Sequence, residues 1–390
     1  MSDWVNARLS DIAEIVMGQS PLGETTNTLG KGKPLLNGPT EFGIKNPLAV
    51  QYTTDSRKNS KIDDLLFCVR GSTTGKMNWS DKEYSIGRGL ASIRHKKGKE
   101  YRYFLKGVID FNLDLILSSA TGSTFPNVSK DQLNDLEIQV PPLPEQQAIA
   151  SVLSSLDDKI DLLHRQNKTL EAMAETLFRQ WFIEEANEDW EEISLCDLIE
   201  IRGGFSYKGE FIGYGDSILL GMGCVSFNNR FLINGARKYG GICPEKFIAK
   251  VGDIVIATRQ QSDHFPILGF PAMIPQELNN KIIIVGTNLY FVKNKSNVSN
   301  HLIFQILKSK EYQNHIKSSS KGSTVRMITK DAIENFSFLM PISENLALID
   351  NNISNIATKI NKNTFYIKTL ENLRDTLLPK LMSGEIRVQH

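Results

Sequence analysis

The chain has 390 residues, 41% hydrophobic and 23% charged, with 45 Lys and Arg against 44 Asp and Glu. That balance excludes a disordered chain and a uniformly basic polyanion coat, so any nucleic-acid binding must come from local patches. No apolar run reaches the ~18–20 residues of a membrane span, and Met1-Ser2-Asp3-Trp4 does not open a signal peptide, so a cytoplasmic protein is expected.

Read from the N-terminus, the chain repeats itself. Trp4, Leu9-Ser10-Asp11 and Glu14-Ile15 return 186 positions later as Trp190, Leu195-Cys196-Asp197 and Glu200-Ile201. Strand candidates follow at Leu65–Val69 and Leu90–Arg94, then one helix candidate over 100–118, Gly122-Ser123-Thr124, Lys130-Asp131 and the punctuation Pro141-Pro142-Leu143-Pro144. Glu145 favours a helix start there, and no Gly or Pro interrupts the chain from it to Glu184. The second copy keeps the order: strand candidates at Asp253–Thr258 and Lys281–Val285, one helix candidate over 299–317, Gly322-Ser323-Thr324, Lys330-Asp331 and Pro341. A second uninterrupted stretch then runs to Leu378. A repeat this long means two copies of a domain-sized unit rather than a solenoid. The predicted organisation is an α/β (α+β) protein with globular domains over 1–142 and 186–340. Long helices occupy 143–185 and 341–390, the latter including the tail.

Both long stretches carry a 4-3 apolar alternation. In the first it runs Ile149, Leu153, Leu156, Ile160, Leu163, Asn167, Leu170, Ala174, Leu177, Trp181. In the second it runs Ile349, Ile353, Ile356, Ile360, Asn363, Ile367, Leu370, Arg374, Leu377, Leu381. A period of 3.5 residues is a coiled-coil seam. Each helix would be roughly 60 Å long at ~1.5 Å per residue, too long for one small domain to cover. Two identical faces meeting about a two-fold axis make the pair antiparallel, an internal pseudo-two-fold. Pairing the two interior amides, Asn167 with Asn363, sets Ile160 opposite Leu370, Leu163 opposite Ile367, Leu170 opposite Ile360 and Leu156 opposite Arg374. The chain ends should then meet, and Asp157 and Asp158, flanking the seam, should be solvated.

No catalytic constellation is found. Cys68, Cys196, Cys224 and Cys243 form no CxxC pair and the six histidines no HxxxH pair, so no metal site is expected. Cys68 lies in an apolar run and reads as a buried small hydrophobe. Gly71-Ser72-Thr73-Thr74-Gly75-Lys76-Met77 is one residue short of a phosphate loop and lacks the hydroxyl after lysine. Both halves instead carry basic and amide side chains among Gly, Ser and Thr. The first holds Gln19, Ser20, Arg57, Lys58, Arg70, Thr73, Thr74, Lys76, Arg88, Ser123 and Thr124. The second holds Arg202, Lys208, Arg230, Arg259, Gln260, Gln261, Lys321, Ser323, Thr324 and Arg326. Arg, Lys, Gln and Asn read base edges, while Ser, Thr, Lys and backbone amides hold phosphates. Matching clusters in two copies of one domain point to DNA.

With these features the sequence resembles a type I restriction-modification specificity (S) subunit. The resemblance rests on Val140-Pro141-Pro142-Leu143-Pro144-Glu145-Gln146 with the helix behind it, ending Leu177-Phe178 and Trp181-Phe182, and on the close Leu377-Leu378 to Met382-Ser383-Gly384-Glu385-Ile386. The openings Trp4 and Trp190 and the Gly-Ser-Thr triplets add to it. Pro341-Ile342-Ser343-Glu344-Asn345 departs from the Pro-Leu-Pro-Glu-Gln form, which leaves that partner contact less defined. The resemblance implies a non-catalytic DNA reader with two target recognition domains, each reading half of a split, asymmetric site. Its long helices would dock two modification subunits, which carry S-adenosylmethionine and methylate adenine N6. A full restriction complex adds two motor-nuclease subunits. The alternative is a coiled-coil scaffold whose end modules bind proteins.

Overall fold

Leu-Ser-Asp and Leu-Cys-Asp recur because each is a local turn with a buried anchor. The Arg8 N–H donates to Asp11 Oδ2 at 2.7 Å and the Ser194 N–H to Asp197 Oδ2 at 2.9 Å, each capping a one-turn helix, Leu9–Ile12 or Leu195–Leu198. Leu9 and Leu195 are both fully buried. The computed structural model describes residues 4–121, 126–187, 190–226, 230–260, 267–320, 326–341 and 343–388. They fall into two compact units, Met1–Arg165 with Thr364–His390, and Gln166–Asn363.

The first unit is built on an antiparallel sheet in the order Ala13–Met17, Leu90–His95, Leu65–Cys68, Met77–Trp79. A second sheet orders Thr26–Asn27, Gln51–Thr53, Lys33–Leu36 and Ser85–Ile86, the last pair parallel. A hairpin-like pair, Val5–Arg8 with Glu137–Val140, closes the unit. Leu65, Phe67, Ile93, Phe104, Leu153 and Met382 share one core, so both long helices are anchored in it. Cys68 is fully buried.

The second unit repeats this plan. Its sheets order Ile199–Gly203, Leu289–Asn294, Ile254–Ala257, Pro271–Met273, and Arg237–Tyr239, Ile212–Leu220, Ile283–Val285, Ile248–Ala249. Glu191–Ser194 pairs with Ser337–Met340. The Lys-Asp repeats open equivalent short helices, Lys130–Asn134 capped by Ser129 and Lys330–Glu334 capped by Thr329.

The expectation of a single helix in each globular part is corrected. Arg102–Phe111 gives way to Leu113–Ser119 at Asn112, whose ψ of 11° leaves the helical region. Asn300–Lys308 gives way to Lys310–Ser319 at Ser309, which takes an extended ψ of 151° and accepts the Tyr312 N–H. Ser309 breaks the period by capping the helix that follows it, and Asn112 by turning its Nδ2 back to Val108 O at 2.8 Å to close the helix that precedes it.

The long helices span Leu143–Arg179, followed by a π turn over Gln180–Glu184, and Ser343–Met382. Within the first unit Ile160, Leu163, Ile367 and Leu370 form one apolar cluster, and Leu153 lies in the same core as Leu381 and Met382, so the segments there are antiparallel. Leu156 is half-buried. Within the second unit the Asn363 Nδ2 donates to Asn167 Oδ1 at 2.9 Å, and Phe178 and Phe182 share a core with Ile349 and Ile353. Leu170, Ile356 and Ile360 are half-buried there. Asp157 is less solvated than expected: its side chain is 18% exposed and takes the Arg374 Nη1 at 3.0 Å. An arginine at a seam position reaches outward, and the neighbouring carboxylate meets it. Asp158 is 56% exposed and pairs with Lys45 at 2.8 Å.

The chain ends meet in the first unit. Glu145, 3% exposed, accepts from Trp4 Nε1 at 3.1 Å and from Arg387 Nε and Nη2.

Candidate nucleic-acid interface

Strand direction gathers the candidate side chains. In the first unit Ala13–Met17 and Leu65–Cys68 lie antiparallel to Leu90–His95, with Met17 opposite Ala91 and Cys68 opposite Leu90. The chain therefore leaves Met17 and Cys68, and enters Leu90, at one edge of the sheet. The second sheet ends at the same place. The Gly87 N–H donates to Leu36 O at 2.8 Å, Gln19 N–H to Ile86 O at 2.8 Å, and Val69 N–H to Gly89 O at 2.9 Å.

The second unit builds the same edge. Gly203 lies opposite Tyr290 and Ala257 opposite Leu289. The Gly286 N–H donates to Leu220 O at 3.0 Å and the Phe205 N–H to Val285 O at 2.7 Å. Two glycines make the crossing possible in both units. A Cβ on Gly18 would sit 2.1 Å from Gly87 O, and one on Gly204 2.0 Å from Gly286 O. Only glycine permits that backbone approach.

Gln19, Ser20, Lys58 and Arg88 come together around Gly87. The Ser20 hydroxyl accepts the Arg88 N–H at 3.3 Å, and Lys58 O accepts the Ile86 N–H at 2.9 Å. Gln19, Lys58 and Arg88 are exposed. Among the described residues neither Lys58, Lys76 nor Arg88 has a carboxylate within ion-pair distance. Arg57 is exposed but tied to Asp55 at 2.7 Å. Arg70 is exposed and donates its Nε to Asn127 Oδ1 at 3.3 Å. Thr73 and Thr74 turn inward: Thr74 Oγ1 donates to Gly71 O at 2.7 Å and Pro126 O at 3.0 Å, and Thr73 Oγ1 lies 3.6 Å from Cys68 Sγ. The glycine-rich loop joins two strands and leads into no helix, and its Gly75 and Lys76 N–H groups are bonded to Cys68 O and Thr73 O. It is not a phosphate loop.

In the second unit Lys208 and Arg259 are exposed, Arg259 opposite Met327 in a short strand pair and exposed Arg326 opposite Gln260. Gln260 itself is 7% exposed and accepts from the Leu268 N–H at 3.5 Å, so its side chain turns inward. Arg202 is held bidentately by Glu200 at 2.8 and 2.9 Å; that hydrogen bond raises its pKa above the ordinary arginine value. Arg230 begins a two-residue strand, but its side chain lies outside the described residues, as do Ser123, Thr124, Gln261, Lys321, Ser323 and Thr324. Burial pushes the Cys224 thiol up and away from reactivity.

The same edge carries residues that sequence patterning does not single out. Gln51, opposite Leu35 at the end of its strand, accepts from Asn37 Nδ2 at 3.0 Å. In the second unit a groove of about 280 Å³ is lined by Tyr207, Gly221, Asn234, Arg237, Thr287 and Asn288, among others. None of these sits in a repeated motif; pairing register alone brings them to the edge.

The chain is thus a duplicated mixed αβ protein, each unit presenting a polar strand edge and containing part of both long helices. A model of the type I restriction modification DNA specificity domain matches residues 1–172 and again 187–373, and the chain belongs to that family. A type I restriction enzyme specificity subunit of Methanocaldococcus jannaschii is 34% identical over 171 residues, 43% of this chain and 40% of that protein. The type I restriction enzyme MjaVIII specificity subunit of the same organism is 21% identical over 413 residues, covering 100% of this chain and 94% of that protein. The S subunit of a type-I restriction-modification system from M. genitalium shares the fold, with a TM-score of 0.60 at 17% identity, over 98% of this chain and 96% of that one. Among the described residues, no helix is long and apolar enough to cross a membrane.

Proposed function

We propose that the chain is the DNA-reading subunit of a type I restriction-modification complex, without catalysis of its own. Each unit reads one half of a bipartite, asymmetric target. The observation that carries this reading is the edge built twice on the same glycine crossing, with exposed Arg, Lys and amide side chains in both copies. Phosphate contacts from the lysines and hydroxyls position each unit, and Arg, Gln and Asn read base edges. The long helices dock two methyltransferase subunits, which supply S-adenosylmethionine for adenine methylation; motor-nuclease subunits join where the system restricts. Phe365 (68% exposed) and Tyr366 (55%), adjacent on the second long helix, offer such a partner an aromatic contact of the kind enriched at protein interfaces.

The test is a domain exchange. Replacing 186–340 with the matching domain of a relative should alter one half of the methylated sequence in the host genome and leave the other intact. Both halves changing together would refute the two-reader model. Binding of duplex DNA whose log K does not fall with log salt would favour a protein-binding scaffold instead.

A further inference from the structure

The two units share the backbone of the edge but carry different side chains at matching points, and strand register defines the matches. Leu35 lies opposite Gln51, and Leu36 beside Ile86 in parallel. Leu219 lies opposite Arg237, and Leu220 beside Val285 in parallel. Gln51 and Arg237 are therefore equivalent, each the first residue of the strand that flanks the parallel pair. Gly87 and Gly286 are equivalent by their crossings with Gly18 and Gly204, so Arg88 corresponds to Thr287. The pair is thus Gln and Arg in the first unit, and Arg and Thr in the second.

We propose that Gln51 and Arg237 are specificity-determining residues, one for each half-site. This rests on the DNA-reading function above and assigns two readers within it. Arg237 is exposed, has no carboxylate partner among the described residues, and borders the groove with Asn234 and Asn288. A guanidinium there presents a rigid planar fork suited to guanine O6 and N7, a geometry that lysine's flexible point charge matches less well. Gln51 has its Oε1 occupied by Asn37 Nδ2, which fixes the amide plane and leaves its own NH2 as the donor end. An amide anchored through its oxygen turns its donors to the base edges, where the N7 of a purine is the acceptor that a glutamine pairs with most often. Asn37 is a positioning residue for it.

The experiment selects bound sequences from a randomised duplex pool, using the full chain with the subunits that co-purify with it. The native chain should yield a bipartite motif. Arg237→Ala should relax one guanine in one half, losing about 10- to 100-fold discrimination there while the other half stays unchanged. Arg237→Lys keeps the charge and should relax the same position, because the fork is lost. Gln51→Ala should relax a purine position in the opposite half. Affinity falling uniformly across all sequences in Arg237→Ala and recovering in Arg237→Lys would make Arg237 a phosphate contact and overturn the proposal. So would an unchanged motif in both alanine variants. No motif from the native chain would refute the DNA-reading function itself.

Discussion

The amide pair in the helix seam makes a prediction whose sign changes between single and double variants. Asn363 is fully buried, its Nδ2 bonded to Asn167 Oδ1 at 2.9 Å, and its own Oδ1 has no hydrogen-bond partner among the described residues. Asn167 is half-buried. Asn167→Leu removes the closer of the two acceptors that the Asn363 amide has among the described residues and leaves it the longer contact to Gln166 Oε1 at 3.4 Å, at about 1–3 kcal/mol. A half-buried leucine returns roughly 1 kcal/mol, so the single variant should be less stable by about 1 kcal/mol. Replacing both amides removes one bond worth about 1 kcal/mol but also relieves the orphaned oxygen, at about 1–3 kcal/mol. It adds one fully and one half-buried leucine, about 2–4 kcal/mol together. The double variant should therefore exceed the native chain by about 2 kcal/mol or more. Urea unfolding followed by circular dichroism, analysed as a double-mutant cycle, reads the coupling. Additive single effects, or a double variant less stable than the native chain, would refute the pairing. The native pair costs stability and in return fixes register, since amides out of step would each be stranded.

Three further outcomes are expected. Arg387→Ala leaves the Glu145 carboxylate, whose side chain is 4% exposed, with Trp4 as its remaining side-chain donor among the described residues, and should lower the urea midpoint by the equivalent of about 1–3 kcal/mol; the arginine's 43% exposure holds this below the cost for a wholly buried pair. Adding Glu145→Gln should restore part of that loss. Burial raises the Asp253 pKa above the ordinary aspartate value, against the opposing Lys250 N–H and the charges of Lys293 and Lys250. A raised folded-state value means stability present below the unfolded pKa of 3.8 is lost as pH rises through the folded one. Asp253→Asn, which still accepts the Lys250 N–H, should raise Tm at pH 7, with the gain shrinking toward pH 4. Seven residues inserted after Leu163 and seven after Asn363 keep the 3.5-residue period and lengthen each helix by ~10.5 Å. If helix length sets the unread gap of the target, methylation mapping should show it longer by about three base pairs; an unchanged gap would refute that.

The duplication, the turn motifs and the helix seam were legible in the sequence because each is a local property. Leu-Ser-Asp marks its turn through hydrogen bonds spanning three residues, and a heptad pattern identifies its own buried face whatever lies elsewhere in the chain. The amide pair needed one further step, that buried polar groups require each other. What the sequence could not determine was non-local. Asn112 and Ser309 end helices whose apolar period continues, because capping geometry there competes with propagation. Thr73, Thr74 and Gln260 belong to the residue types that contact DNA, yet their side chains bond inward, to Cys68, to the Gly71 and Pro126 carbonyls, and to the Leu268 N–H. Asp157 is half-buried where Arg374 reaches it from the other helix. Gln51 and Arg237 reach the recognition edge through strand register, which is set when distant segments pair, and no spacing along the chain records it.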